Sequence, residues 1–185
     1  AIKEANAFCD IRVLASSEDK NFTYVPKGYD IPNNMKYLHL TSNNTIYGTQ
    51  LKEWPKTKAT LISDMSSDIF SRPIPLDRFG LIYAGAQKNV GAAGVSLVIV
   101  KKELLGKVAW HIPTMLDYRT HIKKGSSFNT PPVFPIYVTT LNLDWVIENG
   151  GVAAMEKRNN EKANILYTEI DNNPLFEGTV AVEDR

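Results

Sequence analysis

The sequence predicts an α/β fold. Three observations carry that expectation: short runs rich in β-branched and aromatic residues recur through the first half of the chain, several of them are largely apolar instead of alternating, and two long helical segments follow them. A strand that is apolar throughout, without alternation, is covered on both faces, as in a sheet layered between helices.

Taken in order, the chain opens on Ala-Ile-Lys-Glu-Ala, a helical run with no N-cap residue before it. Strands are expected at 11–14, 37–40, 60–63, 81–83 and 95–100, separated by polar or glycine-bearing segments. No single run settles whether neighbours are parallel. Over 133–148 a long helix is expected, with Pro131 and Pro132 at its start and Asn149-Gly-Gly151 at its end. Its apolar residues fall all around, so it is expected to be largely buried. A second helix, 152–170, collects Val152, Met155, Ala163, Leu166, Tyr167 and Ile170 on one side and its charges on the other, the pattern of an amphipathic surface helix. The Pro- and Gly-bearing link 123–135 is the best candidate for a functional loop. A polar stretch, 177–185, closes the sequence. Both ends read as if an element were entered or left midway, so the chain is expected to be a piece of a longer one.

A length of 185 residues with 43% hydrophobic content suffices for about one globular domain. The 21 basic residues nearly cancel the 20 acidic ones, which leaves no electrostatic footprint for nucleic acid or an acidic membrane. No apolar run approaches the roughly 20 residues a membrane-spanning helix requires. The single cysteine, Cys9, cannot pair within the chain, which fits a reducing compartment; the cytoplasm is the expected location. The Asn-x-Thr triplets at Asn21 and Asn43 are read as unglycosylated on the same grounds. Three scattered histidines make no zinc pattern, and no metal is expected. His39, inside an apolar strand, reads as a satisfied core histidine.

Two segments can carry chemistry. Between Gly80 and Gly94, Lys88 follows a buried strand in a turn built almost entirely of Gly and Ala, where small residues let another group approach the backbone. Partial desolvation there favours the free amine that attacks an aldehyde; taken alone, the segment also reads as an ordinary surface lysine. Asp64 follows a short apolar strand and precedes Ser66, Ser67 and Asp68. An acid at a strand's carboxyl end sits where open α/β sheets bind ligands, although Asp and Ser there also serve as N-caps. Together, a carboxylate and a lysine at successive strand ends suit pyridoxal phosphate: the acid keeps the pyridine nitrogen protonated and the amine holds the aldehyde as an imine.

Three strings then resemble the phosphoserine aminotransferase family, in the family's order: Asp64-Met-Ser-Ser-Asp-Ile-Phe-Ser-Arg-Pro-Ile74, Tyr83-Ala-Gly-Ala-Gln-Lys-Asn-Val-Gly91 and Ser127-Phe-Asn-Thr-Pro-Pro132. The Asn44-Thr-Ile46 turn, the Leu116-Asp-Tyr118 segment and Asn149-Gly-Gly-Val152 extend the likeness through nearly the whole chain. The resemblance implies the large domain of an aspartate-aminotransferase-like enzyme, with a mixed but mainly parallel sheet and helices on both faces. It implies pyridoxal 5'-phosphate bound by Lys88 as an imine, with Asp64 on the pyridine nitrogen, Thr45 touching the ring through its hydroxyl and Gln87 helping to hold the phosphate. Asn129 and Thr130 would reach across a homodimer to the neighbouring subunit's phosphate, which neutral amide and hydroxyl donors can bind without a buried countercharge. The implied reaction is amino transfer between glutamate and 3-phosphohydroxypyruvate, giving O-phosphoserine and 2-oxoglutarate in serine biosynthesis.

Residues 1–171 would then be the cofactor-binding large domain, in part, and 172–185 the start of a link to a small domain. The family's glycine-rich phosphate turn and ring-stacking aromatic do not occur in this sequence, so other segments are expected to complete the site. Two further readings stay open: a non-catalytic piece of such an enzyme, and another pyridoxal enzyme of the same fold such as a cysteine desulfurase. The last would need a reactive loop cysteine, for which Cys9 near a helix end is a poor candidate.

Overall fold

The computed structural model describes residues 2–185. A short helix α1 (Ile2–Ala5) leads through an irregular segment to strand β1 (Tyr37–Thr41), followed by the ribbon strands β2 (Asn43–Asn44) and β3 (Thr49–Gln50). Strands β4 (Thr60–Asp64), β5 (Phe79–Gly85) and β6 (Ser96–Val100) come next. Helices α2 (Tyr118–Lys123), α3 (Val133–Glu148) and α4 (Gly151–Asn172) complete the order.

The sheet is mixed and mostly parallel. Its order is β1-β4-β5-β6, with β1 parallel to β4, β4 parallel to β5, and β6 antiparallel at the edge. Since three strands run the same way, Thr41, Asp64 and Gly85 end along one edge. The core forms around the middle strands, where Leu61, Phe79, Ile82 and Ala84 are almost wholly buried. Each of the larger side chains contributes about 1.5–3 kcal/mol by leaving water. Met65 and Ile69, joined by one helical turn (Ile69 N–H to Met65 C=O, 2.9 Å), continue that core past the end of β4.

Expectation and structure part at three places. Segment 11–14 forms no strand: Val13 is 55% exposed, and the run has no ladder partner among the described residues. Helix α3 exists with the expected bounds but is not buried; Val133 and Ile147 are each 71% exposed. Only one side of it meets the rest of the chain, where Asn142 donates to the carbonyls of Asn89 (3.1 Å) and Val90 (3.0 Å). Apolarity all round a helix permits burial but cannot supply the partner. His39 has a partner, as expected, yet its side chain is exposed and not part of the core.

Helix α4 matches its expected character, with Met155 buried and its charged side in water. It packs on α3 through the Arg158 guanidinium, 5.2 Å from the centre of the Trp145 ring, and is tied to the segment after β4 by Asn159, which donates to the Ser71 carbonyl (3.3 Å). Gly150, at φ 92°, makes the reversal between the helices, a conformation that L residues with a Cβ rarely adopt.

Candidate active site

At the carboxyl edge of the parallel strands, β5 runs into a tight turn. Ala86, fully buried, donates to the Val95 carbonyl (2.9 Å) and accepts from the amides of Val90 (3.3 Å) and Gly91 (2.8 Å). Asn89 pins this turn to its neighbour by donating to the Ile69 carbonyl (2.7 Å). Gln87 and Lys88 are left exposed at the tip. The Lys88 amine donates to the Thr45 hydroxyl at 2.6 Å.

Thr45 reaches that position because the β2–β3 ribbon turns sharply. The Asn44 side-chain oxygen accepts from the amides of Ile46 (3.2 Å) and Tyr47 (3.4 Å), and the Asn44 carbonyl accepts from Gly48 N–H (2.8 Å). The ribbon is clamped to the segment after β4: Ser67 donates to the Asn43 carbonyl (2.9 Å), and the buried Ser42 hydroxyl bonds the Asp68 carboxylate. Arg72 completes the clamp, donating to the Leu51 carbonyl at 2.6 Å while lying 3.6 Å from the Asp68 carboxylate.

Asp64 is the last residue of β4. Its Oδ1 accepts from both the amide (2.9 Å) and the hydroxyl (2.6 Å) of Ser66, and the Ser66 oxygen in turn accepts from Gly85 N–H (3.1 Å). One serine therefore joins the carboxylate to the strand whose turn carries Lys88. Tyr83 is the register partner of Asp64 across β4 and β5, and its hydroxyl lies 2.9 Å from His39 Nε2. Burial, and then the facing Asp64 carboxylate, push the Tyr83 hydroxyl up to about 12.

Of the residues singled out from the sequence, the structure joins Lys88 to Thr45 directly and places Asp64 on the same edge. Gln87 folds back over Gly85, and a Cβ there would displace the flexible end of the Gln87 side chain. Asn129 and Thr130 lie in the exposed link between α2 and α3, where the Asn129 amide nitrogen is 3.1 Å from the Met115 sulfur. Among the described residues neither hydrogen-bonds to Lys88, Thr45 or Asp64. Ser66, Tyr83 and His39 are the participants that sequence reasoning missed. Ser66 carried a signal, since a serine two residues after an aspartate can bond back to it.

These side chains suit pyridoxal phosphate. A reachable amine with a hydroxyl beside it, and a carboxylate with one oxygen already occupied by Ser66, are the donor set an aldehyde and a protonated ring nitrogen require. Cys9 does not enter this set. It lies near Tyr37 (Sγ to hydroxyl, 3.2 Å), at the opposite end of β1 from Thr41, about 13 Å away at 3.3 Å per residue.

Comparison with known proteins agrees with this geometry. The family description Aminotransferase class-V matches residues 2–185. The chain is 60% identical over its full length to a phosphoserine aminotransferase from Parabacteroides distasonis and 57% identical to one from Flavobacterium johnsoniae, covering 52% of each. The phosphoserine aminotransferase of Bacillus circulans subsp. alkalophilus superposes with a TM-score of 0.93 at 46% identity, over 100% of this chain and 52% of that one. A PLP-bound phosphoserine aminotransferase from Trichomonas vaginalis superposes at 0.84 and 40% identity, over 89% and 49%. The chain spans about half the length of the curated relatives it matches. With a matching profile over nearly every residue and a lysine and an aspartate at neighbouring strand ends, the chain belongs to the class-V aminotransferase family.

Proposed function

We propose that this chain is the central, cofactor-bearing part of a pyridoxal-phosphate-dependent phosphoserine aminotransferase. Its substrates would be glutamate and 3-phosphohydroxypyruvate, its products 2-oxoglutarate and O-phosphoserine, and its place the cytoplasm. The observation that carries the reading is the Lys88–Thr45 contact at the strand edge that Asp64 also ends. Identity of 55–60% to phosphoserine aminotransferases over the whole chain supports the substrate assignment. In this reading residues 1–171 are the large domain, in part, and 172–185 begin the link to a small domain.

The bound cofactor supplies an electron sink for the bond broken at the substrate's Cα. Lys88 would provide the amine that holds the cofactor and the base and acid that moves the substrate's Cα proton, a role worth roughly 10² to 10⁴ in rate. Thr45 sets where that amine points. Asp64, held by Ser66, would face the cofactor's pyridine nitrogen and favour its charged form, and Gln87 would help hold the phosphate. Asn129 and Thr130 serve the neighbouring subunit of a homodimer. Their exposure supports this, as does the exposed apolar surface of α3 that directly follows their loop.

Adding pyridoxal phosphate to the protein should produce the visible absorption of a lysine imine, and Lys88→Ala should abolish it. Glutamate should then bleach that band, whereas alanine and cysteine should not. A band that survives Lys88→Ala removes Lys88 from the role, and bleaching by cysteine alone redirects the reading to a desulfurase.

A further inference from the structure

The Asp64 carboxylate has two kinds of neighbour. Ser66 binds one of its oxygens from the loop side, within the machinery already described. On the other side stand two aromatic residues with no assigned role. Tyr83 is its register partner across the parallel β4–β5 ladder, on a strand about 4.7–4.9 Å away. His39 approaches from β1, two residues before Thr41, which is Asp64's partner on that side. The His39 and Tyr83 rings stack with centroids 5.9 Å apart and planes 28° from parallel, and Nε2 meets the hydroxyl at 2.9 Å. A phenol has one proton to give. When neutral His39 carries its proton on Nε2 it donates to the phenol oxygen, and the phenol proton is then free to turn toward Asp64. Although the residue is exposed as a whole, partial desolvation of its ring pushes His39 down from its ordinary value against the pull of Asp64, which favours that neutral ring.

We propose that Tyr83 is a positioning residue for Asp64, its hydroxyl oriented by His39 and donating to the carboxylate that meets the pyridine nitrogen. The inference rests on the reading above that Asp64 performs that contact. The hydroxyl restrains the carboxylate and withdraws some of its charge, which limits how strongly Asp64 pulls on the ring proton. Besides Asp64 from β4 and His39 from β1, the charged or titratable group facing the phenol is Tyr118, at the start of α2.

The test is a pH titration of the visible band of the cofactor-loaded protein, comparing wild type with Tyr83→Phe, His39→Gln, His39→Ala and Asp64→Asn. Without the phenol proton Asp64 keeps its full negative charge, which stabilises protonated groups near it, so the lysine-linked nitrogen holds its proton to higher pH. Tyr83→Phe should therefore raise the band's pH midpoint by about half a unit or more, with little change in Tm. His39→Ala should shift it in the same direction by less, and His39→Gln, which keeps a donor, should restore most of the wild-type value. If Asp64→Asn moves the midpoint and Tyr83→Phe leaves it within about 0.2 unit of wild type, this inference fails while the reading of Asp64 stands. If neither variant moves it, Asp64 does not meet the ring nitrogen and both fail. A Tm loss in Tyr83→Phe with an unmoved midpoint also overturns the proposal, since it marks a packing role only.

Discussion

Lys88 Nζ and Thr45 Oγ1, 43 residues apart in sequence, meet at 2.6 Å, and this bond joins the turn after β5 to the turn of the β2–β3 ribbon. Both side chains are exposed, so the contact adds little to folding; its value lies in holding the amine in one direction. Thr45→Val keeps the shape and removes the hydroxyl. Thermal stability should stay within about 0.5 kcal/mol of wild type, while cofactor affinity falls about tenfold. A fluorescence titration with pyridoxal phosphate beside a melting curve separates the two effects.

Arg72 and Asp68 hold that ribbon in place, and their removal should not be symmetrical. The Arg72 guanidinium serves the Leu51 carbonyl and lies 5.5 Å from the centre of the Trp54 ring. Arg72→Ala leaves the Asp68 carboxylate buried without its cation and should cost about 2–4 kcal/mol. Asp68→Asn removes the charge that burial already disfavours and should cost about 1 kcal/mol or less. Burial holds Asp68 above the ordinary carboxylate value, against the opposing pull of Ser42 and Arg72. Its contribution is thus full below the unfolded value and declines as pH rises through the folded one. Urea unfolding of both variants at neutral pH checks the ranking.

How far the sequence alone reached is clear from these residues. Strands β1, β4, β5 and β6 were legible because a run of β-branched and aromatic residues has few other uses. Segment 11–14 has the same local chemistry and no ladder partner, and pairing is a tertiary event that composition does not carry. Helix α3 was legible in extent but not in burial, for the same reason. Lys88 and Asp64 stood out because each follows a strand, whereas the roles of Thr45 and Gln87 came only from family resemblance. His39 was read only as a core histidine and Tyr83 only as part of a family string, because their relation to Asp64 exists only once β1, β4 and β5 are in register.

The carboxyl-terminal segment should be acid-labile. Asp184 is 2% exposed, and although burial works to raise its carboxyl, the Lys27 ammonium (2.8 Å) and the Val25 amide (2.9 Å) outweigh it and hold the group below its ordinary value. A depressed carboxylate stabilises the fold above the unfolded value, near 3.9, and that stabilisation is lost as pH falls through the folded one. Asp184→Asn should lower stability at pH 7 by about 1–2 kcal/mol and flatten the acid limb of a Tm-against-pH curve. A variant with the wild-type acid limb would show that the Lys27 pair contributes nothing.

Gly91 links the lysine turn to α3 through the absence of a side chain. A Cβ there would sit 2.7 Å from the Thr139 hydroxyl and 3.1 Å from its Cα, so that even with the hydroxyl turned away the helix backbone must yield by a few tenths of an ångström. Gly91→Ala must therefore push α3 away from the turn or distort the turn itself, at about 1–3 kcal/mol. The same displacement strains the two bonds from Asn142 to the Asn89 and Val90 carbonyls, which flank Lys88 on its carboxyl side. Stability and cofactor affinity should fall together in Gly91→Ala, unlike in Thr45→Val, where affinity alone falls. Thr139→Ala removes the hydroxyl, leaves that backbone in place and should not fully rescue Gly91→Ala. Full rescue would mean that the helix backbone is not what the turn rests against.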